Sequence, residues 1–198
     1  LSSCGDIAVS VYSGWLAYST FDHDWVKQQI ETTSVNTVLE KNWPGLHIEP
    51  LQAPENMEVL IGWTGSPASS PHLVSEVKRL KSDPAFYGEF LDHSHQCVEY
   101  LIHAFKTNNI KGVQKMIRQN RAIIRKMDDQ ASVDIETDKL KSLCDIAEKH
   151  GGAAKTSGAG GGDCGITIIH QNVNKQKIYD EWVKNDIKPL QFKIYHGQ

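Results

Sequence analysis

The feature that most restricts the fold of this chain is a glycine-rich segment, KTSGAGGGDCGI, at residues 155–166. Seven of the fifteen glycines lie between Gly151 and Gly165. Because glycine loses more conformational entropy on folding than any other residue, such a cluster requires a compensating structural or chemical role. An amphipathic segment precedes the glycines and the apolar run ITIIH follows them, so the pattern predicts a loop that leads into a strand.

Two familiar glycine motifs do not fit this segment. Gly160, Gly162 and Gly165 match G-x-G-x-x-G, but a dinucleotide-binding loop opens a helix, whereas a strand follows here. A Walker loop needs G-K-[ST], which the chain lacks. A plain hairpin connection and a loop whose bare backbone amides contact a phosphate both remain open. The number of glycines exceeds what a turn requires and favours phosphate contact.

Hydrophobic periodicity predicts an α+β chain. Residues 7–21 change from helical to strand-like spacing, and EVLIGWTG is typical of a buried strand ending at Gly65. Ser70 and Pro71 predict a helix start, and further helices are predicted over residues 86–105, 110–127, 140–147 and 178–183. Strands are predicted over 153–157, 165–170 and 190–194. This order is a split β-α-β arrangement with an enlarged first helical part.

Prolines mark the expected domain boundary. Pro44, Pro50 and Pro54 interrupt residues 25–56, where we expect a junction rather than long elements. We therefore divide the chain into residues 1–54 and residues 55–198.

Composition excludes several classes of function. The chain has 39% apolar and 23% charged residues and a formal net charge of -3, which does not favour a nucleic-acid or membrane partner. Four scattered cysteines and no signal-peptide pattern fit a cytoplasmic protein. We predict no metal site in the protein itself: alternate residues His93, His95 and Cys97 face different sides of a helix, and Asp22-His23-Asp24 is more typical of a turn.

Polar residues elsewhere form weaker candidates. Thr64, Ser66, Ser69 and Ser70 gather before a helix start, which is either an anion site or a capped polar turn. Asn120 lies near an apolar stripe, where its amide needs a partner in substrate or backbone. Arg121 is a phosphate ligand or, more commonly, a solvated side chain.

Three stretches carry a resemblance to a known family. AAKTSGAGGGDCGI resembles the third signature of the GHMP small-molecule kinases, a loop of their carboxyl-terminal ferredoxin-like domain. SSCGDIAVSVYSGWLAYSTFDHDWV and GWTGSPASS are similar to the bacterial members, of the Gram-positive type, that phosphorylate phosphomevalonate. The resemblance covers the whole chain. It implies the end of a ribosomal-S5-like domain over residues 1–54 and a ferredoxin-like domain with extra helices over residues 55–198.

The same resemblance implies a reaction and a site. ATP with Mg²⁺ phosphorylates (R)-5-phosphomevalonate to the 5-diphosphate, and the implied substrate- and phosphate-binding residues are Lys155, Ser157, Gly158, Ala159, Gly160, Gly161, Gly162, Thr64, Gly65, Ser69, Ser70, Asn120 and Arg121. The family's ATP-phosphate loop lies upstream of the matched stretches. This chain is then a carboxyl-terminal portion, and we expect little kinase activity from its 198 residues alone.

Asp6 is the implied catalytic residue. Its segment, G-D-I-A, lies at the phosphoryl-transfer centre of the family. A phosphomonoester has a second pKa near about 6, so the acceptor hardly needs a base, and Asp6 is better cast as an electrostatic positioner or a ligand to a metal shared with ATP. From the residues alone, Ser3-x-x-Asp6 favours a helix capping box over a catalytic role, and the functional role of Asp6 depends on the resemblance.

Two alternatives to this function stay open. Another GHMP small-molecule kinase such as mevalonate kinase has a hydroxyl acceptor, for which a true base would matter more. A non-catalytic ferredoxin-like binding module would carry aromatic and basic residues on its sheet, which ITIIH and QFKIYH scarcely offer. The sequence leaves the oligomeric state open.

Overall fold

The computed structural model describes residues 3–67, 83–131, 133–158 and 160–195. The predicted helix start at Ser70 and Pro71 lies outside these ranges. Within them the chain forms two compact units. The first contains residues up to Ala53 together with the segment from Lys193, and the second runs from Pro54 to Phe192.

The first unit is a two-stranded sheet with three helices. Its elements are α1 (Gly5–Tyr12), β1 (Trp15–Ser19), α2 (His23–Thr32), α3 (Val35–Leu39) and β2 (His47–Leu51). β1 and β2 are antiparallel, with Ala17 opposite Glu49.

The region predicted as a proline-interrupted junction therefore contains regular elements, and the prediction of a turn at Asp22-His23-Asp24 was wrong. The Asp22 carboxylate accepts hydrogen bonds of 3.0 Å from the amides of Asp24 and Trp25, which makes it the N-cap of α2.

The capping-box alternative for Asp6 does not form. The N-cap of α1 is Cys4, in the left-handed conformation with φ 60°, and no side chain caps the helix there. The helix starts one residue later than a box between Ser3 and Asp6 would require. The Ser3 carbonyl instead accepts a hydrogen bond from the hydroxyl of Tyr18.

The second unit contains four strands and four described helices. They are β3 (Met57–Trp63), α4 (Pro84–Lys106), α5 (Ile110–Ala131), α6 (Asp138–Lys149), β4 (Ala153–Thr156), β5 (Cys164–His170), α7 (Lys175–Lys184) and β6 (Lys188–Leu190). The strands form one antiparallel sheet in the order β4-β5-β3-β6. This is the predicted split β-α-β order, and the sheet is ferredoxin-like; the described residues of the first crossover form three helices, two more than the simple motif has.

A pair of glycines brings α6 close to the sheet. Gly62 on β3 lies directly opposite Gly165 on β5. A Cβ at Gly62 would lie 2.7 Å from a methyl of Leu143, and one at Gly165 would lie 2.6 Å from the other. Leu143 is fully buried and its carbonyl accepts a 3.0 Å hydrogen bond from the Trp182 indole, so this contact joins α6, α7 and the sheet.

The last predicted strand is shorter than the sequence pattern indicated. β6 ends at Leu190, and residues 191–195 are not in a strand although Leu190, Phe192 and Ile194 alternate with polar residues. The chain leaves the sheet there, and the carbonyl of Tyr195 accepts a 2.8 Å hydrogen bond from the Gly14 amide in the first unit. A contact distant in sequence thus overrides the local alternation.

Candidate active site

The glycine-rich loop joins β4 to β5 and comprises residues 157–163, of which Ala159 lies outside the described ranges. Gly158, Gly160, Gly161 and Gly162 have φ between 61° and 122°, and Asp163 follows with φ 55°. Residues with a side chain rarely adopt this left-handed region, so its consecutive use requires glycine. A two-residue hairpin needs at most two such positions, and this loop therefore has a more specific backbone path.

Two neighbouring segments hold the loop from opposite ends. The amide of Gly161 donates a 2.8 Å hydrogen bond to the carbonyl of Ile135, in the connection between α5 and α6. The amide of Asp163 donates a 2.6 Å hydrogen bond to the carbonyl of Ser66, and the Asp163 carbonyl accepts one of 2.8 Å from Thr64. The loop is thus fixed between the end of β3 and the connection that precedes α6.

Three loop amides have no hydrogen-bond partner in the described part of the chain. Across the described ranges, the amides of Gly158, Gly160 and Gly162 make no hydrogen bond to protein, although Gly160 and Gly162 are buried. Buried backbone donors are almost always paired, so unpaired ones call for an explanation. Successive amides around left-handed glycines form concave sites for anions, and this loop has the chemistry of a phosphate site.

Thr64 and Gly65 lie beside this loop, and the Thr64 amide donates to the carbonyl of Asp163. Thr64 is 1% exposed, and its hydroxyl is buried without a hydrogen-bond partner among the described residues. Lys139 donates a 3.3 Å hydrogen bond to the Thr64 carbonyl, which brings a cation to the same end of the loop. Gly65 has φ 86°, and no atom of the described residues lies within 4 Å of the place where a Cβ would stand.

Lys155 is a half-buried cation at the base of the loop. Its ammonium group donates a 2.7 Å hydrogen bond to the carbonyl of Thr156, and no carboxylate pairs with it within the described part of the chain. Burial lowers the pKa of Lys155, while the nearby thiols of Cys144 and Cys97 act in the opposite direction. A buried ammonium without a counterion is costly, which is typical of a group that serves a ligand.

The guanidinium group of Arg121 lies among three carboxylates. Its guanidinium group contacts Glu136 at 2.5 Å, Asp145 at 2.7 Å and Glu148 at 3.2 Å, and the residue is 6% exposed. Burial opposes its charge, but the hydrogen bonds to Glu136 and Asp145 outweigh that cost and raise the pKa of Arg121. Three carboxylates occupy its donors, so this placement gives Arg121 a structural role and does not support phosphate contact.

The remaining predicted residues are distributed as follows. Asn120 is half-buried on α5, and its amide has no hydrogen-bond partner among the described residues. Ser157 begins the loop, its amide donating to the Cys164 carbonyl at 2.9 Å. Asp6 lies in the first turn of α1, in the first unit, and is exposed. Ser69 and Ser70 fall outside the described residues.

Sequence reasoning missed Ile135 and considered Ser66 only as part of a polar serine cluster, whereas both residues contact the loop through their backbones. Ile135 and Ser66 both contribute carbonyl oxygens to loop amides. Any residue type can supply a carbonyl oxygen, so neither contact leaves a signal in the sequence. The only indirect signal is the strict need for glycine at Gly160 and Gly162, where a Cβ would approach Ile135 or Ser66.

The geometry agrees with comparison to known proteins. Residues 101–188 match the family described as GHMP kinases C terminal. This match covers the two added helices, the glycine-rich loop and the return through α7 to β6. Residues 101–188 therefore form a domain of the kind found at the C terminus of GHMP kinases.

Over nearly its whole length the chain is similar to phosphomevalonate kinases. It is 35% identical over 191 residues to the phosphomevalonate kinase of Streptomyces sp. strain CL190, covering 95% of this chain and 51% of the relative. The Lin0012 protein of Listeria innocua superposes with a TM-score of 0.91 at 40% identity, over 97% of this chain and 54% of that one. The phosphomevalonate kinase of Streptococcus pneumoniae, solved with phosphomevalonate and AMPPNP, superposes with a TM-score of 0.83 at 27% identity, over 96% and 55%.

The chain spans about half the length of the curated relative that it matches. Among its described helices, none combines the length and apolar character needed to cross a membrane.

Proposed function

We propose that the complete polypeptide encoded by the gene is an ATP-dependent kinase acting on (R)-5-phosphomevalonate. An oxygen of the acceptor phosphate forms a bond to the γ-phosphorus of ATP, and the bond from that phosphorus to the bridging β-γ oxygen breaks. The products are 5-diphosphomevalonate and ADP. The observation that carries this proposal is the glycine-rich loop with three amides that lack a partner in the described chain.

Positioning and charge neutralisation supply most of the catalysis in phosphoryl transfer. The amides of Gly158, Gly160 and Gly162 would donate to phosphate oxygens without any rearrangement, because the loop is already held at Gly161 and Asp163. We assign the Thr64 hydroxyl and the adjacent Gly65 to the same anion site, and Asn120 to an outer substrate contact. Ser157, Ala159, Ser69 and Ser70 are kept as proposed contacts on the family resemblance.

Lys155 would add positive charge near the transferred group. A phosphate placed at the loop would supply the counterion that the described structure does not give it. Anion binding would then raise the pKa of Lys155 back toward its ordinary value, because an opposite charge favours the protonated amine.

Asp6 is the proposed carboxylate of the reaction. The acceptor phosphate is largely dianionic at neutral pH, so Asp6 need not remove a proton. Its carboxylate is exposed and engages no cation among the described residues, which leaves it able to serve as a ligand to Mg²⁺. When bound with ATP, Mg²⁺ would neutralise charge on the transferred phosphoryl group.

The cellular setting follows from the same chemistry. Cys97, Cys144 and Cys164 carry free thiols. Burial raises the pKa of Cys144 to about 12 and that of Cys164 to about 11, so neither thiol is prepared for nucleophilic chemistry. Free thiols and an ATP-consuming reaction support our proposal of a cytoplasmic enzyme.

A coupled assay of ADP release tests the function. We expect the complete polypeptide to consume ATP when phosphomevalonate is supplied and to show at most slow turnover with mevalonate. Asp6→Asn should lower kcat by at least about 100-fold with unchanged unfolding behaviour, since it removes charge from the reacting centre. Asp24→Asn, on the exposed start of α2, is the matched control. Preference for mevalonate would favour mevalonate kinase, and normal turnover of Asp6→Asn would exclude Asp6 from catalysis.

A further inference from the structure

One of the two attachments of the glycine-rich loop is a peptide group in the connection before α6. The carbonyl of Ile135 accepts the hydrogen bond of the Gly161 amide at 2.8 Å. A Cβ at Gly160 would lie 2.6 Å from the same oxygen, so the loop backbone passes in direct contact with it. A rotation of the peptide between Ile135 and Glu136 would therefore displace the loop.

Asp128, near the end of α5, fixes this peptide. One carboxylate oxygen accepts a 2.9 Å hydrogen bond from the Ile135 amide, and the other accepts a 2.9 Å hydrogen bond from the Glu136 amide. The Glu136 amide and the Ile135 carbonyl belong to the same planar trans peptide, in which N–H and C=O point in opposite directions. When Asp128 holds the amide on one side, the carbonyl points to the other side, where Gly161 lies.

The side chain of Glu136 provides the second attachment. Both of its carboxylate oxygens accept hydrogen bonds from Arg121, at 2.5, 3.0 and 3.1 Å, in a buried pair. Arg121 in turn contacts Asp145 on α6. Asp128 thus holds the amide of this peptide, and Arg121 holds the side chain of Glu136. Asp128 and Arg121 lie seven positions apart on α5.

We propose that Asp128 is a positioning residue for phosphoryl transfer. It holds the peptide between Ile135 and Glu136, and that peptide in turn holds the glycine-rich loop. We call Arg121, Asp128, Ile135 and Glu136 the loop clamp. The catalytic consequence rests on the proposed function, whereas the effect on loop geometry does not. Among the described residues Asp128 makes no hydrogen bond to the loop itself, and its influence travels through two successive hydrogen bonds.

Asp128→Ala and Asp128→Asn test the clamp, with Asp129→Ala as the matched control on the exposed side of the same helix turn. Amide hydrogen exchange of the complete polypeptide, without substrates, should rise at least about 10-fold in the loop 157–163 and in residues 133–137 of Asp128→Ala. Asp128→Asn keeps one acceptor oxygen and should give a smaller rise. The kcat for phosphomevalonate phosphorylation should fall about 10-fold in Asp128→Ala and remain unchanged in Asp129→Ala.

The pattern of exchange separates positioning from general stability. A merely structural role would raise exchange across the whole sheet and α7, whereas the clamp confines the rise to the two named segments. If Asp128→Ala does not fold, Asp128→Asn carries the same test. Unchanged or uniformly raised exchange would overturn the clamp. A confined rise in exchange supports it even if the unmodified protein fails to use phosphomevalonate, in which case the proposed function alone is wrong.

Discussion

The substitutions Gly158→Ala and Gly160→Ala form a matched pair that separates the effect of backbone strain on stability from the effect of steric overlap. Both glycines have positive φ, 77° and 61° respectively. Among the described residues a Cβ at Gly158 would meet nothing within 4 Å, whereas a Cβ at Gly160 would lie 2.5 Å from a methyl of Ile135 and 2.6 Å from its carbonyl oxygen. Both substitutions therefore introduce backbone strain at a positive φ, and only alanine at Gly160 also creates a steric overlap.

The magnitudes follow from these distances. An alanine in the left-handed conformation costs about 1 kcal/mol relative to glycine, and Gly158→Ala should lose about that much. At Gly160 the crowded atom is a carbonyl oxygen already engaged by Gly161, so it cannot simply rotate aside. Overpacking of this kind adds about 1–3 kcal/mol, which gives a total loss of about 2–4 kcal/mol for Gly160→Ala.

Urea unfolding monitored by tryptophan fluorescence measures both losses, because Trp182 is fully buried in the second unit. In the kinase assay, Gly158→Ala should lose activity despite its near-normal stability, since its methyl group would occupy space open to an anion. Equal losses of unfolding free energy in the two variants would refute the assigned contact with Ile135. Full activity of Gly158→Ala would remove that amide from the site.

Two further substitutions probe the buried charges. Lys155→Met removes an ammonium whose pKa is lowered by burial, and we expect the free energy of unfolding at neutral pH to rise by about 0.5–2 kcal/mol while kcat falls. Between the lowered pKa of folded Lys155 and its ordinary value near 10.5, the unfolded chain binds more protons than the folded chain, so the stability of the wild type rises with pH. The difference in unfolding free energy between Lys155→Met and the wild type should therefore shrink in that pH range. Urea titrations at neutral and alkaline pH would measure this difference, and a constant difference would contradict the reasoning. Glu136→Gln breaks a buried pair with Arg121 and should cost about 3 kcal/mol in urea unfolding. Glu148→Gln, at a longer and partly exposed contact, should cost under about 1 kcal/mol, and a reversed order would contradict the assignment.

The second unit could be predicted in outline because its elements follow local rules. The helices over residues 84–106, 110–131 and 138–149 contain the predicted helical stretches, with an Asp83 cap before Pro84 and a Thr137 cap before Asp138. The two segments around the glycines pair as an antiparallel hairpin. Periodicity and turn chemistry are properties of neighbouring residues, so they are available in the sequence.

Predictions failed where a distant residue decided the outcome. Arg121 on an amphipathic helix is typical of a solvated or phosphate-binding side chain, but α6 and the connection before it bring three carboxylates to it. The alternation at Leu190, Phe192 and Ile194 predicts a strand, but the chain leaves the sheet after Leu190. Neither partner set is near in sequence, so no local pattern could indicate them.

The sequence by itself determined that this chain alternates strands and helices in a split β-α-β order and that the loop over residues 157–163 must be built from glycine. Those conclusions depend on side-chain periodicity and on which residues tolerate positive φ, both of which are local. Only the tertiary structure decided which loop amides donate to protein carbonyls and which have no partner in the described part of the chain. The carbonyl oxygens of Ile135 and Ser66 accept hydrogen bonds from the amides of Gly161 and Asp163. Because a backbone carbonyl has the same chemistry in every residue, the sequence cannot indicate which carbonyls will face the loop.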